Sequence, residues 1–80
     1  MKLPLDISGL GLAKALETLG YRISRQTGCH LRLNLDLPSQ HHLIIPAHEP
    51  LKADTLASIL ADVAAHLNLN WEDLIRQIWD

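Results

Sequence analysis

Hydrophobic positions recur at helical spacing in "SGLGLAKALETLG", residues 8–20, where Leu12, Ala15, Leu16 and Leu19 share a stripe. Ser8 stands at the N-cap position and Gly20 at the stop, so a first helix is predicted here. Gly9 and Gly11 in its first turn each cost up to about 1 kcal/mol relative to alanine, which predicts a weak start. From Tyr21 the period becomes two. "YRISR" alternates, and "HLRLNL", residues 30–35, places Leu31, Leu33 and Leu35 on one side and His30, Arg32 and Asn34 on the other. "DLPSQH" reads as a turn by its Asp, Pro and Ser, and "HLIIP" as a third strand that Pro46 confines to a sheet edge or strand end. "ADTLASILADVAAHL" then carries Leu56, Ile59, Leu60, Val63 and Leu67 on one stripe, a second long helix. In "NLNWEDLIRQIWD" Asn70 is a candidate N-cap with Asp73 three residues on, and Leu69 and Leu74 suit a hydrophobic staple. These signals predict a short third helix over residues 70–79. Its Leu74, Ile75, Ile78 and Trp79 are expected to pack on the core, with a partner-binding stripe as the alternative.

These elements assemble as an α+β fold: helix, three-stranded antiparallel sheet, helix, plus the short C-terminal helix. One sheet face packs on the helices and the other meets water, so His30, Arg32 and Asn34 are predicted to be exposed. If Leu43 and Ile45 pair with Leu35 and Leu33, position 32 faces 46 and His30 faces His48 across the strands. That pairing puts two imidazoles about 5 Å apart on the open face.

Length confirms the economy of this plan, because 80 residues support one core and one domain, 1–80, with 7–67 as its centre. With two Trp, one Tyr and no Phe, that core must be aliphatic. A formal charge of -2 produces no global field for an anionic partner, so any anion site must be local. One cysteine cannot form an internal disulfide, and neither a signal-peptide pattern nor an apolar run near 20 residues is present. A cytoplasmic location with no membrane association is expected.

"ISG" at 7–9, "ALETLGYRISRQTGCH" at 15–30, "IPAHEPLK" at 45–52 and "TLASIL" at 55–60 occur in an order and spacing that resemble the HicA, or YcfA-like, toxin family. The resemblance covers about residues 7–67. It implies a fold like the double-stranded RNA-binding domain, metal-independent endoribonuclease activity on messenger RNA as part of a stress response, and neutralisation by a HicB antitoxin. The family's catalytic histidine lies in a Gly-Ser-His motif, which here reads Gly28-Cys29-His30. Cys29 is read as a small residue in the place of serine.

The implied chemistry needs a base for the ribose 2′-hydroxyl, an acid for the leaving 5′-oxygen and a cation for the phosphorane charge. Imidazole exchanges protons near neutral pH, so His30 suits either proton role and His48 is the candidate second carrier. Arg22, Arg25 and Arg32, with Lys14 and Lys52 at a distance, are the candidate RNA-binding cations. Asp36, Glu49 and Asp54 are the acids expected to lie close enough to oppose them. No cofactor is expected. His41 and His42 lack the spacing of a metal motif and are assigned to a polar turn, so no metal site is expected. A catalytically inactive RNA-binding or protein-interaction module on the same fold is the alternative function.

Overall fold

The computed structural model describes residues 3–4 and 6–79. Helix α1 (Gly9–Leu16) runs into a short 3-10 turn (Glu17–Leu19), followed by strands β1 (Arg22–Thr27), β2 (His30–Leu35) and β3 (His41–Pro46), helix α2 (Ala53–Leu67) and helix α3 (Trp71–Trp79). The strands form an antiparallel sheet in the order β1-β2-β3. This helix, three-stranded sheet, helix arrangement is the α+β architecture of the double-stranded RNA-binding domain, extended by α3.

Local chemistry accounts for the element ends. Ser8 Oγ accepts the Gly11 N–H at 2.9 Å and opens α1. Asn70 Oδ1 accepts the Asp73 N–H at 2.8 Å and opens α3. Between β1 and β2 lies a two-residue turn, Gly28-Cys29, in which Gly28 adopts φ 57°. A glycine in the first turn position supplies that positive φ without strain, and the turn delivers His30 as the first residue of β2.

Leu31, Leu33 and Leu35 are buried against Leu12 and Leu16 of α1 and Leu56, Leu60 and Val63 of α2, with Leu43 and Ile45 beside them. Leu74, Ile75 and Ile78 join this cluster, so the α3 stripe does pack on the core; Trp79 is half-buried against it. β1 contributes little, since all six of its residues are exposed.

The β2–β3 register differs from the sequence expectation by two residues. Leu35 faces His41, Leu33 faces Leu43, Arg32 faces Ile44 and His30 faces Pro46. Hence His30 and His48 are not cross-strand neighbours; His48 lies in the loop past β3. The cause is a shorter turn: β3 begins at His41, so His41 and His42 are strand residues rather than turn residues. A two-residue slip keeps every side chain on its own face, so the buried pattern is the same in both registers. The ladder continues past Pro46, where the Ala47 N–H donates to the Cys29 carbonyl at 2.6 Å. His30 and Pro46 therefore form a non-hydrogen-bonded pair, and the N–H that proline lacks would have pointed away from β2.

At the other end of β3 a polar clasp joins sheet to helix. His41 Nε2 donates to Asp62 Oδ1 of α2 at 3.2 Å, because a carboxylate only accepts, leaving Nδ1 to accept the Tyr21 hydroxyl at 2.6 Å. The His41 ring stacks on His66 with centroids 4.2 Å apart, and His66 Nε2 donates to the Ser39 carbonyl at 3.1 Å. Burial, with the Asp62 carboxylate adding to it, pushes the Tyr21 phenol up from 10.0 to about 12.

The folded chain thus holds the Tyr21 proton more tightly than the unfolded chain does. Its contribution to stability is complete below pH 10 and is lost as pH rises from 10.0 to about 12. Melting temperatures across that window should fall for the wild type beyond the fall seen for Tyr21→Phe; parallel curves would contradict this. Gly9 is buried and donates its N–H to the His48 carbonyl at 2.9 Å. A Cβ there would collide with the Pro46 carbonyl oxygen. Gly9→Ala should cost about 1–3 kcal/mol in denaturant unfolding, and an unchanged midpoint would show that α1 does not approach β3 this closely.

Candidate functional site

The open face of the sheet is set by the register. On β2 it carries His30, Arg32 and Asn34, the positions that alternate with the buried leucines. Opposite them on β3 stand Pro46, Ile44 and His42. On β1 the partners are Thr27, Arg25 and Arg22. Strict alternation would put Arg25 on the same side as Ile23. A bulge between Ile23 and Arg25 breaks that alternation, so that Ile23 pairs with buried Leu33 while Arg25 pairs with exposed Arg32. Ser24 is the extra residue, and its hydroxyl donates to the Arg32 carbonyl at 3.3 Å.

The bulge makes Arg25 and Arg32 direct cross-strand neighbours. Like charges in that position repel in the absence of an anion and are relieved by one. Arg22 lies at the far end of the same face but is engaged: its guanidinium meets Asp36 Oδ2 at 2.9 Å, with both side chains exposed. His30 sits at the opposite end, exposed, with Nδ1 3.9 Å from Cys29 Sγ. His42 Nδ1 donates to Asn34 Oδ1 at 2.8 Å.

Charge is segregated by layer. The three strands contain Arg22, Arg25 and Arg32 and no acidic residue, whereas Glu17, Asp54, Asp62, Glu72 and Asp73 all lie in the helical segments. A net charge of -2 therefore coexists with a cationic sheet. Of the residues singled out in the sequence, His30, Arg25, Arg32 and Arg22 come together on this face. Lys14 lies on α1 and Lys52 at the start of α2, both exposed in the helical layer, and His48 is exposed in the loop before α2. His42, Ile44 and Thr27 join the face without having been anticipated. The signal for the first two was present: His42, Ile44 and Pro46 alternate with Leu43 and Ile45 as Arg32 alternates with its leucines.

No group of three or more His, Cys, Asp or Glu side chains among the described residues is gathered as metal ligands. No helix among them is long and apolar enough to cross a membrane.

Fold and face together define a small α+β protein with a fold like that of the double-stranded RNA-binding domain, whose sheet presents cations to solvent. Residues 12–64, more than half of the chain, match the family described as HicA toxin of bacterial toxin-antitoxin, and the chain belongs to the HicA toxin family. Neither the curated proteins nor the solved structures gave a match.

The Arg22–Asp36 pair yields a prediction of its own. Asp36→Asn should release Arg22, steepening the salt dependence of polyphosphate binding by about one counterion while changing stability by less than about 1 kcal/mol. An unchanged salt slope would show that Arg22 does not reach the bound anion.

Proposed function

We propose that this HicA toxin is a ribonuclease that cuts messenger RNA on the open face of its sheet, with His30 as the proton-transfer residue. The observation that carries the reading is the placement of the motif histidine beside an arginine couple that has no ion-pair partner among the described residues. Thr27 and Pro46 flank His30, and Arg32 stands two residues along the same face, with Arg25 across from Arg32. A phosphate held by Arg25 and Arg32 brings an adjacent ribose within reach of the imidazole.

In the proposed step the 2′-hydroxyl attacks the neighbouring phosphorus and the bond to the 5′-oxygen breaks. His30 accepts the proton of the 2′-hydroxyl while solvent water protonates the leaving 5′-oxygen, or the two exchange these roles, so that a 2′,3′-cyclic phosphate and a free 5′-hydroxyl result; the arginines meet the charge that develops on the phosphorane. Arginine suits that task because its planar fork binds phosphate oxygens in pairs and stays charged. Gly28 serves the reaction indirectly, since its positive φ sets the turn that starts β2 at His30. His48, two residues beyond Pro46 in the loop before α2, is not His30's cross-strand partner, and its part as a second proton carrier is a proposal separate from the pairing. A HicB-type antitoxin is the proposed neutralising protein, and covering the face around His30 would suffice for it to act.

Purified protein with a fluorogenic RNA, in the presence of a chelator, is expected to show cleavage that His30→Ala reduces by roughly 10²- to 10⁴-fold with the melting temperature unchanged. Equal cleavage by the two proteins would overturn the assignment of His30, and an inert wild type would leave RNA binding without catalysis as the function of the face.

A further inference from the structure

We propose that His42 and Ile44, with Asn34 behind them, form a nucleobase-binding subsite for single-stranded RNA, in which the phosphates run over Arg25 and Arg32 and the bases turn toward β3. The proposal rests on the RNA reading above and adds the strand's orientation and a second contact region.

The open face is divided in chemistry. Its β1 and β2 columns hold Arg22, Arg25 and Arg32, while its β3 column holds His42, Ile44 and Pro46 and no formal charge. Phosphates belong over the first and flat, weakly polar rings over the second. Ile44 lies directly across from Arg32 and is 55% exposed, an isoleucine more than half open to solvent. Beside it His42 is held by its Nδ1–H bond to Asn34 Oδ1, which fixes the ring and leaves Nε2 free to meet a ligand. A neutral Nε2 accepts a hydrogen bond, so base N–H groups are its complement.

His42 stands beside Asn34, four residues along β2 from His30, and about 13 Å of strand separates the two ends. One phosphodiester does not span that distance. His42 is therefore not the partner of His30 in proton transfer and serves a different nucleotide of the same strand. Only unpaired RNA offers its base faces and Watson–Crick edges to such a surface, because in a duplex these are stacked and paired.

The test uses the His30→Ala chain, so that RNA is not cut, and a labelled single-stranded oligoribonucleotide whose binding is read by fluorescence anisotropy. Adding His42→Ala or Ile44→Ala should weaken binding roughly tenfold in each case, within the range seen when a base-contacting side chain is truncated. His42→Gln, which keeps an acceptor, should lose less. Binding of a duplex RNA should not change, and all variants should melt with the parent. Unchanged single-strand binding in both alanine variants overturns the proposal, as does an equal loss on duplex or a parent chain that binds no single-stranded RNA. Failure of the catalytic reading looks different: cleavage indifferent to His30→Ala alongside binding that still depends on His42.

Discussion

Burial of Leu31, Leu33 and Leu35 beneath α1 and α2 decides where every other side chain of β2 points. With three leucines committed to the core at period two, His30, Arg32 and Asn34 have only the water-facing side available. At about 25 cal/mol per Å² of apolar surface, turning the strand over would expose three leucines and bury an arginine without a partner, which no local preference could offset. The neighbouring strands inherit that choice through their pairing. The functional face is thus a consequence of the core, and its residues need no other device to hold them out.

The core does not set everything, however. The Ser24 bulge changes the face of one strand half-way along, and it turns Arg25 from a residue beside Ile23 into the neighbour of Arg32. Side by side across the strands these two arginines repel, and among the described residues no ion pair relieves either of them. At the other end Asp36 relieves Arg22 from within the chain. Among the described residues Arg22 alone of the three strand arginines is given a carboxylate by the protein itself, while Glu17, Asp54, Asp62, Glu72 and Asp73 lie in the helical segments.

Elements governed by nearest neighbours were legible in the sequence. Ser8 and Asn70 as caps, the α2 stripe and the leucine alternation of β2 all depend on residues a few positions apart, and the structure agrees with each. The β2–β3 register was not legible, because shifting it by two keeps the same leucines inside and the same polar residues outside. Only the turn length distinguishes the two, and Asp36–Gln40 closes tighter than its composition suggested. Nor did period two reveal the bulge, which preserves the pairing of Ile23 with buried Leu33 while reversing the face on which Arg25 stands. The Tyr21–His41–Asp62 clasp joins three distant segments, so the double histidine at 41–42 looked like polar turn material until the fold separated the two rings, one toward α2 and one onto the open face.

The claim on which the functional account turns is that the open sheet face, not the helical layer, meets RNA. Titrating isotopically labelled protein with a single-stranded RNA that carries no cleavable 2′-hydroxyl, and recording amide chemical shifts, tests it residue by residue. Perturbations should centre on Arg25, His30, Arg32 and their β3 neighbours, with the exposed positions of α2 and α3 silent. Shifts centred on the helices, or none at all, would contradict it.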